Sequence, residues 1–244
     1  MPTMPHRTPR ILSDDEGLLS LFKPAGWHTF PGGSGLALSA WLVQRHPELA
    51  AVGPAAAPAL LHRLDRPTSG LMLAARTQEM YRALRQAFSH GEVVKRYLAL
   101  VEGEPDGPLC CDLPLGERYR RSKKVQVVSD PAARRVRRPL PARTEVEPLA
   151  SAGGFTLCRV TIHTGVRHQI RAHLAHLGHP VAGDGFYGAR RSLAGLGERI
   201  FLHASEAGFD HPADGRPRRL SCPLGEDLAG VLDALGFSRR ALPR

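Results

Sequence analysis

The residue in this chain best suited to chemistry is a carboxylate that lies between two cations. Asp65 is part of residues 62–70, with Arg63 and Arg66 on either side and an apolar run immediately after. Positive neighbours favour the ionised carboxylate, which is then available as a nucleophile or a base. A loop attached to a buried strand is also a common position for a reacting group. The alternative is a polar turn in which Asp65 caps the backbone or forms a salt bridge.

A second group of polar residues belongs to a predicted helix. Apolar residues at positions 170, 174 and 177 recur at helical spacing and predict a helix over residues 167–177. His168 and Arg171 then lie away from the apolar stripe, so Arg171 could meet a carboxylate or a phosphate. The alternative is a solvated basic face of the helix without a ligand.

Several other kinds of site are not favoured by the sequence. The four cysteines form neither a C-x-x-C zinc pair nor a disulfide framework. The histidines at positions 168, 173, 176 and 179 lack the pattern of an H-E-x-x-H helix, so we expect no metal site. No glycine loop for nucleotides is present, and no apolar run reaches the roughly 18 residues of a membrane span. We therefore expect a soluble cytoplasmic protein without a secretory signal.

The charge of the chain favours a polyanionic partner. Lys and Arg number 33 against 23 Asp and Glu, which gives a formal net charge of +10. Nucleic-acid phosphates and acidic membrane surfaces both attract such a surplus. Residues 118–138 are especially basic, and we predict that they form a loop or hairpin projecting from the sheet.

The elements that must hold these residues are predicted to be strands with interspersed helices. Apolar runs predict strands at 18–22, 71–75, 97–101, 155–162 and 199–209. Periodicity predicts helices near 36–43, between Thr77 and Gly91, and at 228–235. The pattern indicates an α+β fold with a mostly antiparallel sheet. We expect a flexible tail over residues 1–16, one folded domain over 17–238 and a short tail over 239–244.

The segment HRLDRPTSGLMLAA, residues 62–75, resembles the signature of the RluA-type pseudouridine synthases. Further segments resemble motifs of this family and follow in the expected order: 23–26, 95–101, 164–171, 178–180, 183–184, 202–204 and 211–212. The resemblance covers about residues 17–236. Two positions depart from the family pattern, because Phe22 stands where Asn is usual and Val166 where Arg is common.

The resemblance implies both a fold and a reaction. The fold would be the pseudouridine synthase catalytic fold, with a central antiparallel sheet, flanking helices and loops, and an active-site cleft across the sheet. The reaction would isomerise uridine in RNA to pseudouridine with Asp65 as the catalytic carboxylate. Tyr97 would stack on the target base, and Arg171 would pair with Asp65. Neither a metal ion nor an organic cofactor would be needed.

The resemblance also implies contacts with RNA. Arg63 matches the residue that takes the place of the extruded nucleotide. Further RNA contacts are expected near the two motifs and in the basic segment: Arg66, Arg167, His168, Gln169, Arg120, Arg121, Lys123 and Lys124. One position along a helix turns a side chain by about 100°, so we expect that Arg167 does not replace the arginine missing at Val166.

Two other functions are compatible with these residues. A non-catalytic RNA-binding or ribosome-assembly protein would use the same basic surface, and a nucleoside hydrolase would use Asp65 on the C1′ bond. Hydrolytic glycosidases generally pair two carboxylates, and no second acid is obvious beside Asp65, which favours isomerisation. The substrate would be ribosomal or transfer RNA. We expect a monomer without an S4-type domain, because few residues precede Leu18.

Overall fold

A computed structural model describes residues 8–15, 17–32, 35–119, 122–129, 136–191, 193–197 and 199–238. Strands and α-helices follow one another in this order: β1 (Arg10–Asp15), β2 (Leu18–Lys23), α1 (Leu38–Arg45), β3 (Ser69–Ala75), α2 (Gln78–His90), β4 (Val94–Glu102), β5 (Leu109–Cys111), β6 (Leu115–Glu117), β7 (Val125–Val127), β8 (Arg137–Leu140), β9 (Thr144–Ala152), β10 (Phe155–Ile162), α3 (Gln169–His176), β11 (Leu202–Asp210), β12 (Pro217–Ser221) and α4 (Glu226–Ala234). Two short 3-10 helices cover Pro47–Ala51 and Gly185–Tyr187. Within these described ranges, no helix is long and apolar enough to cross a bilayer.

The chain divides into two compact units. The first comprises Met1–Lys95 and His203–Glu226, and the second comprises Arg96–Leu202 and Asp227–Arg244. Most strand pairs are antiparallel, and helices are interspersed between the strands. The predicted α+β class with a mostly antiparallel sheet is confirmed.

The first unit is built on a sheet with the strand order β1-β2-β3-β11-β12. Neighbouring strands are antiparallel except β3 and β11, which run parallel and pair Ser69 with His203. Strands β2 and β3 are buried along their whole length, as continuous apolar runs are when both faces of a sheet are covered. The loop that carries Asp65 leads directly into β3 and is therefore attached to a rigid strand.

The predicted flexible tail over residues 1–16 is wrong for its last part. Arg10–Asp15 form β1, an edge strand that pairs antiparallel with β2. The hydroxyls of Ser13 and Ser20 share a hydrogen bond of 2.5 Å across this pair. The polar composition conceals the strand because an edge strand is partly solvated and needs few apolar residues. Residues 1–7 and 16 lie outside the described residues.

Helix α2 has the predicted signals at both ends. The Thr77 side chain accepts a hydrogen bond from the backbone N–H of Met80 at 3.2 Å, as an N-cap does. Gly91 ends the helix with a left-handed φ of 76°. The helices predicted at 36–43 and 228–235 correspond to α1 and α4, with ends that differ by one or two residues.

The second unit contains a sheet with the strand order β4-β10-β9-β5. The sequence pattern does not reveal β9, because this strand holds two glutamates and Pro148. Pro148 lies opposite Cys158, next to the point where the register between β9 and β10 shifts. A proline is accommodated at such an irregularity because the regular ladder of hydrogen bonds is already interrupted there.

A separate three-stranded sheet, β7-β6-β8, carries the basic segment. Strands β6 and β7 pair antiparallel, and β7 lies within residues 118–138. Leu115 and Val125 of this sheet pack in one buried cluster with Ala172 of α3 and with Tyr187. The predicted RNA contacts Arg120 and Arg121, and the tail over residues 239–244, lie outside the described residues.

Helix α3 begins two residues later than predicted. Its first residue is Gln169, and His168 precedes it with a left-handed φ of 55°. Arg167 is therefore not helical, so the 100° rotation does not apply to it, and whether it replaces the arginine missing at Val166 stays a prediction. The alternative of a solvated basic face is wrong, because Arg171 is only 5% exposed. Helix α3 contacts β7 and β9, and this packing covers the face that the local pattern left polar.

Candidate active site

Asp65 lies in a closed turn that leads into β3. The Asp65 loop, residues 62–68, holds Asp65 half-buried between the buried Leu64 and the exposed Arg66. The backbone N–H of Thr68 donates to the carbonyl of Asp65 at 3.1 Å. This bond fixes the direction in which the chain passes from the carboxylate to the strand.

The turn at residues 23–26 braces the Asp65 loop. The Lys23 side chain is fully buried, and its Nζ donates to the carbonyl of Thr68 at 2.7 Å. The Gly26 N–H donates to the carbonyl of Arg66 at 2.8 Å, and Arg66 Nε donates back to the Gly26 carbonyl at 3.1 Å. Gly26 has a φ of 88°, a conformation that favours glycine. The first family-like segment therefore holds the backbone that follows Asp65.

Thr29 holds the same loop one residue before Asp65. Its Oγ1 donates to the carbonyl of Leu64 at 2.8 Å and accepts from the Leu64 N–H at 3.1 Å. Both partners are buried, so these bonds are shielded from competition by water. Sequence reasoning missed Thr29, because nothing in a single threonine 35 residues away signals this contact.

His62 anchors the start of the Asp65 loop to β3. Its Nε2 lies 3.0 Å from the backbone nitrogen of Leu73 and accepts its hydrogen, so Nε2 is unprotonated. Burial, with the positive charges of Lys95 and Arg85 adding to it, lowers the pKa of His62 to about 3. At neutral pH His62 is therefore a neutral acceptor that positions the loop, and not a general acid.

The end of the loop is fixed against β11 by a serine–histidine pair. His203 Nε2 must donate to the carbonyl of Cys222, 3.0 Å away, so its Nδ1 accepts from the Ser69 hydroxyl at 2.9 Å. Gly70 follows with a φ of 121°, and a β-carbon there would lie 2.2 Å from the carbonyl oxygen of Ala204. Only glycine allows β3 and β11 to approach this closely.

Arg171, in the second unit, is held by a buried carboxylate. Its Nε and Nη2 donate to the two oxygens of Asp184 at 2.6 and 2.9 Å, a bidentate arrangement that fixes the guanidinium plane. Asp184 is 1% exposed. Sequence reasoning noted the Gly183-Asp184 segment but missed this pairing, because the two residues belong to different elements.

Two tyrosines of the second unit are buried. Tyr97 lies on β4 and is 6% exposed. Tyr187 lies on the 3-10 helix that follows Asp184, and its hydroxyl accepts from the Val125 N–H at 3.1 Å. The guanidinium carbon of Arg171 is 5.0 Å from the centre of the Tyr187 ring, within cation–π distance. Arg171 is thus oriented by a carboxylate and also contacts an aromatic ring.

The family model of RNA pseudouridylate synthases matches residues 18–176. This match contains the turn at residues 23–26, the Asp65 loop and helix α3. The chain belongs to the RNA pseudouridylate synthase family. The enzymes of this family are isomerases, so the resemblance stated from the sequence is confirmed at the level of family, fold and reaction class.

The names of similar proteins are consistent with this family. An uncharacterized RNA pseudouridine synthase of Chloroflexus aurantiacus is 40% identical over 215 residues, which cover 87% of this chain and 65% of that protein. The ribosomal large subunit pseudouridine synthase D of Zymomonas mobilis is 30% identical, over 98% of this chain and 78% of that protein. The solved structure of human RNA pseudouridylate synthase domain containing 4 has a TM-score of 0.72 and 26% identity, and covers 96% of this chain and 94% of that one.

One predicted RNA contact of this pseudouridine synthase is buried instead. Gln169 is 3% exposed, and its Oε1 accepts from the Thr164 hydroxyl at 2.9 Å and from the Val166 N–H at 3.1 Å. Its Nε2 donates to the carbonyl of Arg143 at 2.9 Å and to the Thr144 hydroxyl at 3.2 Å. Its amide is used for internal hydrogen bonds, so we do not retain it among the RNA contacts.

Two other predicted RNA contacts connect the start of α3 to neighbouring elements. Arg167 Nη2 donates to Glu117 Oε1 at 3.1 Å and to the carbonyl of Ser122 at 2.5 Å. His168 Nδ1 lies 3.0 Å from the Tyr187 hydroxyl. Both side chains are half-buried, so each keeps a surface that RNA could reach.

The remaining predicted RNA contacts among the described residues are exposed: Arg63, Arg66, Lys123 and Lys124. The two departures from the family pattern serve packing. Val166 packs against the cluster of Leu115 and Ala172, and Phe22 is buried in β2 with the Arg10 guanidinium carbon 4.9 Å from its ring centre. In the part of the chain that the structure describes, no group of three His, Cys, Asp or Glu side chains could hold a metal ion.

Proposed function

We propose that this chain isomerises a specific uridine of structured RNA to pseudouridine, with Asp65 as the essential carboxylate. The observation that carries the proposal is the loop of Asp65, which lies inside the family match and is held by Lys23, Thr29 and His62. A catalytic side chain needs such fixed surroundings, because small displacements of a reacting group reduce the rate strongly.

The reaction breaks the N1–C1′ bond of uridine and forms a C5–C1′ bond. Uracil leaves as an anion, turns within the site and bonds again to C1′, and the proton on C5 is finally transferred to N1. Asp65 assists either by attack on C1′ or by removal of the 2′ proton. No water enters the product, so one carboxylate is sufficient, whereas hydrolytic glycosidases generally use two.

The other two members of the predicted catalytic set have distinct roles. Tyr97 stacks on the target base, which gives contact without a requirement for a base pair. The resemblance gives Arg171 the role of a positive partner for the catalytic carboxylate, and the bidentate bond to Asp184 holds its guanidinium in one orientation. These roles follow from the family resemblance.

The RNA is ribosomal or transfer RNA. The name of the Zymomonas mobilis relative supports ribosomal RNA of the large subunit as the first substrate to test. The net charge of +10 and the exposed Arg63, Lys123 and Lys124 support binding to phosphates. A cytoplasmic location and a monomeric state stay predictions.

The test compares Asp65→Asn with a matched control. Asp106→Asn removes an exposed carboxylate in another turn and should leave activity unchanged. RNA from cells that lack the gene, complemented with each form, is mapped for pseudouridine by carbodiimide modification. Wild type and Asp106→Asn should restore the same modified position, and Asp65→Asn should not, although the purified variant should still bind RNA.

Two outcomes would point to the other functions. Full biological activity of Asp65→Asn with no isomerised nucleotide in any form would indicate a non-catalytic RNA-binding or ribosome-assembly protein. Stoichiometric release of free uracil from RNA by the wild type would indicate a hydrolase.

A further inference from the structure

An apolar ring is exposed beside the held guanidinium of Arg171. Phe186 lies on the 3-10 helix Gly185–Tyr187 and is 45% exposed, although it is a large aromatic side chain. Its ring centre is 5.8 Å from the Arg171 guanidinium carbon and 5.6 Å from the Lys124 ammonium. An exposed aromatic residue among cations is the combination with which proteins hold unpaired nucleotides.

The surroundings of Phe186 hold its ring in a fixed orientation. The rings of Tyr187 and His168 meet it edge-on, with centres 5.3 and 6.0 Å away. Tyr187 is itself buried and accepts a hydrogen bond from the Val125 N–H. Backbone bonds from Tyr187 and Ala189 to the Asp184 carbonyl, 3.0 and 3.1 Å, close the turn that carries Phe186. A ring that is already ordered loses little entropy when a base stacks on it.

Cationic side chains close to the Phe186 ring are suited to bind the phosphate of a nucleotide. Lys124 is exposed, with its ammonium 4.7 Å from the centre of the Tyr187 ring. The half-buried Arg167 forms a salt bridge with Glu117, which belongs to the three-stranded sheet β7-β6-β8. The carboxylate of Asp184 is turned inward onto Arg171, so its charge is compensated.

We propose that Phe186 and Lys124 form a subsite for an unpaired nucleotide of the RNA substrate, with the base stacked on Phe186 and the phosphate bound by Lys124. This inference rests on the proposed function, because it takes RNA as the partner. It deepens that function, because it names a contact for a nucleotide other than the target uridine. Phe186 follows Asp184 by two residues, so this nucleotide would lie beside the guanidinium that Asp184 orients.

The test measures binding with two labelled probes in the Asp65→Asn background, so that no turnover occurs. One probe is a single-stranded oligouridylate of about ten nucleotides, and the other is a ribose–phosphate chain of the same length without bases. Phe186→Ala and Phe186→Leu should each weaken binding of oligouridylate about 10-fold, because both remove the aromatic face. Binding of the abasic chain should not change. Phe186→Trp should keep the affinity of the parent.

Salt dependence separates the two parts of the subsite. Lys124→Gln should reduce the slope of log K against log salt by about 0.7, the value for one phosphate of a single strand, whereas Phe186→Leu should leave the slope unchanged. Leu36→Ala, which truncates an apolar side chain with 62% exposure elsewhere, is the control and should bind both probes as the parent does.

The proposal is overturned if Phe186→Leu binds both probes like the parent, or loses affinity for both equally. It is also overturned if the parent does not prefer oligouridylate to the abasic chain. A wild-type protein that forms no pseudouridine but shows the Phe186 effect would refute the proposed function and leave this subsite standing.

Discussion

The buried ammonium of Lys23 donates a hydrogen bond of 2.7 Å to the backbone carbonyl of Thr68, 45 residues along the chain. Thr68 in turn donates its N–H to the carbonyl of Asp65. A segment that the sequence shows only as a lysine before a Pro-Ala-Gly turn therefore holds the backbone of the proposed catalytic residue. The contact explains why a fully buried cation is tolerated, since backbone carbonyls accept from it.

We predict that Lys23→Met lowers both the stability of the protein and its kcat. The change leaves the carbonyls of Thr68 and Pro24 without this donor, which should lower the free energy of unfolding by about 1–3 kcal/mol. Because the turn of Asp65 is loosened, kcat should fall more than KM rises. Urea unfolding and pseudouridine formation check both effects. Arg82→Met, at an exposed arginine of α2, is the control, and equal loss in both variants would contradict the role of Lys23 in holding the loop.

We predict that Gly70→Ala cannot be accommodated. A β-carbon would lie 2.2 Å from the Ala204 carbonyl oxygen, and the φ of 121° is strained for alanine. Strands β3 and β11 must separate, which should cost about 3 kcal/mol or more and reduce activity. Gly107→Ala is the matched control, because its β-carbon would meet nothing within 4 Å. Thermal unfolding of both variants tests this prediction. Similar unfolding midpoints would show that β3 and β11 can separate with little loss of stability.

We predict that Asp184→Asn lowers stability and kcat more than the same substitution at an exposed aspartate does. The asparagine keeps the shape of the side chain but removes the charge that balances a guanidinium with 5% exposure. Loss of one partner of a buried pair should destabilise the protein by about 3 kcal/mol, and activity should fall through kcat. Asp112→Asn, at an exposed residue, is the control. An Asp184→Asn protein with normal kcat would show that Arg171 does not need this partner.

We predict that burial of the charged Lys95 ammonium lowers the free energy of unfolding, and that this effect depends on pH. Burial lowers the pKa of Lys95 to about 8, below the roughly 10.4 of an unfolded lysine. The unfolded chain therefore binds more protons between these values, so this group makes stability rise with pH from about 8 to about 10.4. Below pH 8 the buried Lys95 is charged and its destabilising effect is complete. Lys95→Met removes this charge and should therefore stabilise the protein by at most about 3 kcal/mol.

Unfolding by urea at neutral pH and near pH 10 tests this sign. The advantage of Lys95→Met over wild type should shrink at the higher pH, because wild-type Lys95 is then neutral in the folded protein and has begun to lose its proton in the unfolded chain. Leu36→Ala, which changes an exposed side chain without a titratable group, should show no such trend. An advantage that is constant between the two pH values would rule out titration of Lys95 as its cause.

The sequence by itself determined the elements whose signals are local. Thr77 and Gly91 mark the ends of α2 because capping depends on residues within one helical turn. The apolar run after Ser69 indicates β3, and the positions of Asp65, Arg63 and Arg66 in one short segment identify the candidate carboxylate. The ordered motifs also indicate the family, because each of them is a continuous stretch of sequence.

Only the tertiary structure decided which distant residues meet. Lys23, Thr29 and His62 hold the loop of Asp65 through contacts with no local signal, and Asp184 fixes Arg171 from another element. The same reason explains the errors: β1 forms although its sequence is polar, because β2 offers it a partner, and Gln169 is buried although amides are usually exposed. Local periodicity depends on neighbours in the chain, whereas burial and hydrogen bonding depend on which surfaces the fold brings together.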